Sequence, residues 1–421
     1  MSSPPLSRFP WPALVVLAVL VLLPVGRTAE LPLLVGLVAG IVLLARGRLA
    51  PADPALRLAL ALFACYWLPA LLSAPLSVAP QKSWSTAAAI LRFLPFAGFA
   101  AWALREAALW PALRAGIATV VALWVIDAWV QMATGYSLGG AAEAERISGI
   151  FGADNLKLGP VLAVLSPFVL LAAAERGGRA GLLLAMLLVG GPLLLAGSRA
   201  AWLSYGLVCL LVGWRAAGSP RRFAAALALF VLAAGALASF ALHDSTRFNA
   251  RLDRSLLALQ GTPDALDAAA AGRLRIWDAA LSMFAAHPLT GVGVRGFRYA
   301  YPDHAAPGDS FVDAARGTGA SHAHQIVLEV ASETGLVGLL GWIAGTVIAW
   351  RAWRRADAPA RARARAPALA LLAMCFPLNT HLAFYSAWWG LLFWWLLALY
   401  CAALGARAGL PPTPGRILRS P

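Results

Sequence analysis

The sequence predicts an all-α integral membrane protein with about twelve transmembrane helices and one large helical loop outside the membrane. Three observations carry this expectation. Of 421 residues, 61% are hydrophobic and 13% charged, and the mean hydropathy of +0.74 lies far above that of a soluble domain. Apolar runs of about 17 to 25 residues, enough to cross roughly 30 Å of hydrocarbon as helix, recur along nearly the whole chain. Only one long stretch, residues 243 to 325, escapes the pattern.

In chain order the spans are expected near residues 10–26, 31–45, 56–74, 85–104, 111–133, 158–174, 180–196, 200–214, 223–242, 326–350, 367–384 and 386–406. The first is read as retained, because it lacks a small-residue cleavage site and a second apolar span follows at once. The chain is thus expected to hold helices one to nine over residues 1–242, a loop with an amphipathic helix over 243–325, and helices ten to twelve with a tail over 326–421. Cys65, Cys209, Cys375 and Cys401 fall inside apolar spans, which assigns them to packing and not to a disulfide framework or a zinc site.

The net charge of +15 does not mark a nucleic-acid partner, since the basic residues are spread over many loops. They mark topology instead. With a cytoplasmic N-terminus, twenty arginines fall in cytoplasmic segments, against Arg27, Lys82, Arg146, Lys157 and Arg199 on the short outer loops. The positive-inside rule therefore predicts both termini in the cytoplasm. The loop of residues 243–325, the segment 134–157 and the turn Gly197-Ser198-Arg199 then face outward, and the chemistry is expected there.

Within the long loop, Leu274, Trp277, Leu281 and Phe284 recur at helical spacing and predict an amphipathic helix near the membrane surface. Arg273 and Arg275 sit in its first turn. Two guanidinium groups at a helix start, where backbone N–H groups already favour an anion, would make a diphosphate site; contact with anionic headgroups is the other reading. The glycines Gly291, Gly293 and Gly296 look like a nucleotide loop, but no strand precedes them, so a compact turn is expected. Arg199, between two closely spaced spans, has little chain on which to reach water, and a bound anion or a headgroup would explain it.

His322 and His324 lie at the end of the loop, where a histidine can take a proton near neutral pH. As residues two apart on a helix they are expected to face different ways, and no further ligands complete a metal site. Asp127 and Arg92 are expected to form a pair inside the membrane. Asn379, His381, Tyr385 and Ser386 fall at an outer interface, in a setting that suits headgroups and sugars.

His324-Gln325, nine residues, then Gly335-Leu-Val-Gly338 resembles the signature of O-antigen ligases, and Glu333-Thr334-Gly335 fits the same wording. Gly272-Arg273-Leu-Arg-Ile-Trp277, His287-Pro288-Leu-Thr-Gly291-Val-Gly293 and Gly197-Ser198-Arg199 extend the resemblance, which is strongest over residues 145–345. It implies a metal-independent, inverting glycosyltransferase of the C-type membrane superfamily in the bacterial inner membrane, with a periplasmic site and no cofactor. His324 would be the base, with His322 as a possible addition. Arg199 and Arg273 would be catalytic and diphosphate-binding, with Arg275, Arg146 and Lys157 as further candidates. The implied partners are an undecaprenyl-diphosphate-linked O-antigen donor, a lipid A-core acceptor and membrane lipids. An O-antigen polymerase or a protein O-oligosaccharyltransferase uses related donors. A secondary transporter fits less well, because the chain shows no internal repeat and transport leaves the 83-residue loop unexplained.

Overall fold

The computed structural model describes residues 10–407 except 144–145, 154, 226, 229–230, 233–234, 236–255, 263–264, 268–269 and 380–382. The described helices are α1 (Trp11–Val21), α2 (Glu30–Ala45), α3 (Pro54–Ser73), α4 (Pro80–Ile90), α5 (Phe93–Ala103), α6 (Trp110–Thr134), α7 (Leu158–Leu195) and α8 (Arg199–Ala217). After the long loop's first part come α9 (Arg273–Ala286), α10 (Phe297–His304), α11 (Ile326–Arg355), α12 (Ala358–Met374) and α13 (Ala387–Gly405). A two-residue hairpin, β1 (Tyr136–Ser137) with β2 (Gly140–Ala141), pairs antiparallel after α6.

Seven helical segments among the described residues are long and apolar enough to cross a membrane. One of them, α7, is two antiparallel helices. A straight helix of 38 residues would run about 57 Å, yet a Cβ placed on Gly159 would lie 3.1 Å from the Cβ of Ala196. The chain reverses at Gly178, whose φ of 57° and ψ of −141° only glycine adopts readily. This matches the two spans expected over 158–196. The expected fourth span is broken between α4 and α5 at Leu91–Arg92. The eleventh is displaced: α12 begins at Ala358, carrying alternating alanines and arginines, and ends before Phe376-Pro377. Most of the expected ninth span lies outside the described residues.

Small residues set how closely helices approach, as is common where lipid offers no hydrophobic drive between helices. Gly341 and Gly345 of α11 lie against Cys65 of α3, where a Cβ on Gly341 would come within 2.5 Å of the Cys65 carbonyl oxygen. The centre is α13, buried without a break from Trp389 to Ala403, as expected of a helix apolar on every side. Tyr66 of α3 donates to the Phe384 carbonyl (2.9 Å), and Trp395 of α13 donates to that of Val16 (2.8 Å).

The expected pair of Asp127 with Arg92 is corrected. Arg92 pairs with Glu30 at 3.1 Å, and Asp127 accepts from the backbone N–H of Leu138 at 2.8 Å. Asp127 therefore holds Leu138 against α6, and Gln131, whose Oε1 accepts from Ser148 and Gly149, holds those two residues there. Arg114 with Glu175 (2.9 Å), and Arg179 with the carbonyls of Ala216 and Ala217, gather at the opposite end of α7 from Lys157 and Arg199.

Candidate active site

A break in α11 organises the loop side of the bundle. At Gly335 (φ 64°, ψ −156°) the helix turns so sharply that a Cβ on Gly338 would meet Val330 at 3.1 Å, although a straight helix would separate them by about 12 Å. The expected tenth span is thus a short arm, residues 326–334, and a longer helix, residues 336–355. A broken helix leaves carbonyls and N–H groups without intrahelical partners. The glycine-rich segment supplies them: Val292 and Gly293 donate to the carbonyls of Ser332 and Glu333 (2.8 and 3.0 Å). In return, Leu336 and Val337 donate to those of Pro288 and Leu289 (2.8 and 3.2 Å). The segment is therefore a plug in the break and not simply a turn after α9. No side chain fits at the contact, since a Cβ on Gly291 would lie 2.5 Å from the Ser332 carbonyl oxygen, and one on Gly335 would overlap the Leu289 backbone. Gly335 of the sequence signature makes this contact, while Gly338 lies against Thr334 and Val330 of the arm.

The helix α9 packs on the plug through Ile276, Ala279, Ala280 and Met283, which share a small core with Val292, Phe297, Ala300, Tyr301, Ala320 and Ala323. The expected stripe is only the edge of this face: Leu281 is exposed and Trp277 half-buried. The difference arises because α9 buries its small residues against protein, where close approach is possible. Trp277 reaches sideways, and its indole Nε1 donates to the Ala323 carbonyl at 3.1 Å.

That bond fixes the backbone next to His324, which has a left-handed φ of 54°, uncommon for a residue with a Cβ. Gln325 clamps the other side: its Oε1 caps the arm by accepting from Leu328 (2.6 Å), and its Nε2 donates to the Pro377 carbonyl (2.8 Å). His322 and His324 precede the helix, so the expectation that they diverge is corrected; their rings lie 3.9 Å apart between centroids, tilted by 41°. Ser321 Oγ lies 2.8 Å from His322 Nδ1, while His324 Nδ1 is buried with no hydrogen-bond partner.

Three elements bring Arg199, Arg273 and His324 together. Arg199 opens α8 after the Ser198 cap, Arg273 opens α9 after Gly272, and His324 precedes the arm. Their electrostatics are coupled. Burial, and then the charge of Arg199, lowers the Arg273 pKa, while burial and the Arg273 charge push His324 down to about 4. The imidazole is therefore neutral at physiological pH and can accept a proton, in a site where the Arg199 charge acts on Arg273 and the Arg273 charge on His324.

The other candidates each make contacts of their own. Arg275 pairs with Asp267 at 3.1 Å, and Asp267 also accepts from the N–H of Leu274, so Arg275 is held at the outer edge of α9. Arg146 pairs with Glu143 at 2.7 Å, although Ile147 ties that segment to the end of α7 through the Leu195 carbonyl. Lys157 lies over the Trp388 ring at 4.5 Å, and burial lowers its pKa. Asn379 and Ser386 serve as helix-end contacts, Asn379 donating to Ala373 and Met374 and Ser386 accepting from Trp389. His381 lies outside the described residues. Among the described residues, no three of His, Cys, Asp and Glu gather as a metal cluster.

Two buried acids on the arm, Glu329 and Glu333, carry much of the architecture without having been singled out as site residues. Glu333 accepts from the Arg295 N–H at 2.7 Å and Glu329 from that of Tyr385 at 3.4 Å. The available signal was their spacing, four residues apart on one face of an otherwise apolar segment. An apolar cleft of about 1180 Å³ runs between α3, α8, α11, α12 and α13, with Gly338, Pro377 and Tyr385 among its lining residues. Pro377 is the residue that Gln325 holds, so the cleft reaches the neighbourhood of His324.

No curated protein matches the chain. The family model described as O-antigen ligase matches residues 183–343, a segment that contains Arg199, Arg273, His324, the plug and the Gly335 break. Over that segment, the chain is similar to the O-antigen ligase family.

Proposed function

We propose that the protein transfers O-antigen polysaccharide from undecaprenyl diphosphate to lipid A-core at the periplasmic face of the inner membrane. The convergence of Arg199, Arg273 and His324 from three separate elements carries this reading. Neutral His324 accepts the proton of the acceptor hydroxyl as its oxygen attacks the anomeric carbon. The bond from that carbon to the diphosphate oxygen breaks on the opposite face, and the configuration inverts. Arg199 and Arg273 stabilise the charge that grows on departing undecaprenyl diphosphate, the task a divalent cation performs in other lipid-linked transferases. Burial is the larger cause of the depressed His324 pKa and the Arg273 charge the second; donor binding offsets that charge, so the base strengthens once the substrate is in place. The apolar cleft beside Pro377 offers room for the polyprenyl chain.

The test is transfer by purified protein in detergent with chelator present. Product on lipid A-core is expected, with losses of about 10²-fold or more in His324→Ala and Arg273→Ala that remain folded. Lengthening of glycan on the lipid carrier would instead assign a polymerase, and no transfer to either acceptor would overturn the reading.

A further inference from the structure

Five basic side chains fall on the short outer loops against the positive-inside bias, and Arg27 and Lys82 have no part in the site above. The fold brings these two, from the α1–α2 turn and the start of α4, to a single cavity of about 360 Å³. Arg92, at the break between α4 and α5, and Arg295, just after the plug, line it as well; among the described residues no acidic side chain lines it, although Glu30 pairs with Arg92 and the Arg295 charge acts on the buried Glu329 and Glu333. Arg295 Nη1 and Arg92 Nε are buried without hydrogen-bond partners, although Arg92 also reaches Glu30 at 3.1 Å. Arg27 and Lys82 are exposed at the mouth. Four cations around one cavity, two with buried unsatisfied N–H groups, form a setting for a multiply charged oxyanion.

The position argues for the occupant. Glu333, which holds the Arg295 backbone, lies at the Gly335 end of the arm, and His324 precedes the other end. The nine residues of the arm amount to roughly 13 Å of helix between them. The donor diphosphate is assigned to Arg199 and Arg273, so a second anion site lined by none of those residues suits the other substrate. We propose that the cavity bounded by Arg27, Lys82, Arg92 and Arg295 binds a phosphate group on the headgroup of the acceptor glycolipid, holding the acceptor while its sugar hydroxyl reaches His324. This rests on the ligase reading.

Two arms test it. In the first, thermal shift of the purified protein is measured with phosphorylated lipid A-core, enzymatically dephosphorylated lipid A-core, and phosphatidylglycerol micelles. Stabilisation by the phosphorylated acceptor alone is expected, lost in Arg27→Gln/Lys82→Gln and restored in the charge-conserving Arg27→Lys/Lys82→Arg. Equal stabilisation by phosphatidylglycerol would assign the cavity to bulk lipid and overturn the proposal, as would a shift that survives the Gln pair. In the second arm, the Gln pair raises the acceptor KM by about tenfold or more, while donor KM and kcat stay near wild type. Dephosphorylated acceptor gives both proteins that same raised KM. An unchanged acceptor KM would overturn the proposal, whereas absence of any product from wild type would fail the ligase reading and leave the first arm to decide this one.

Discussion

Two helices in this protein break at a glycine with nearly the same backbone conformation, and the breaks do different work. At Gly178 the chain turns back in the open: the surrounding residues are exposed, and a Cβ there would meet nothing within 4 Å. At Gly335 the freed backbone groups are occupied by the 288–293 segment, and there is no space for a Cβ. The first break joins two spans. The second anchors the loop that carries α9, and with it Arg273 and the Trp277 contact that fixes His324. A glycine's importance here follows from what fills the break and not from its torsion angles.

The largest effect is expected from Gly335→Val. Its side chain would expel the plug, displace α9 and lower transfer by at least about 10²-fold, the scale of a misplaced catalytic geometry. Gly178→Ala bears only the torsional strain, about 1 to 3 kcal/mol, and is expected to lower the thermal midpoint while retaining activity. Equal loss of activity in the two folded variants would remove the distinction.

A smaller effect is expected from Trp277→Phe, which keeps the ring packing but loses the hydrogen bond to Ala323, worth about 1 kcal/mol. His324 is then less firmly held, and kcat should fall by about tenfold with donor KM little altered. A rise in donor KM alone would place the effect on binding.

The pH profile reports the same coupling. A base works in its neutral form, so activity is lost as pH falls through the His324 pKa. In free enzyme that pKa is depressed to about 4, and kcat/KM should hold down to mildly acidic pH. Bound diphosphate offsets the Arg273 charge, so the acid limb of kcat should lie at higher pH than that of kcat/KM. Coincident limbs would contradict donor binding next to His324.

The smallest effect is expected for Arg275→Gln. Its ion pair with Asp267 is 44% exposed on the arginine side, and exposed pairs contribute about 0 to 1 kcal/mol. Activity within about threefold of wild type, against the large loss in Arg273→Ala, would separate the two arginines; comparable losses would return Arg275 to the diphosphate site.

The sequence by itself determined the helical membrane class, because long apolar runs have few other stable solutions in a bilayer. It also determined the paired spans around Gly178 and the residue types of the site, since Arg199, Arg273 and His324 stand out as polar groups at span boundaries and in recurring motifs. Tertiary structure decided what depends on contacts distant in sequence. It paired Arg92 with Glu30 instead of Asp127, and turned Arg275 toward Asp267. It brought the His322 and His324 rings together and divided the tenth span at Gly335. Periodicity along one helix reports which face is apolar but not which partner covers it. The plug illustrates the limit: its glycines are visible as a motif, but their purpose depends on a break some forty residues away whose backbone groups they satisfy.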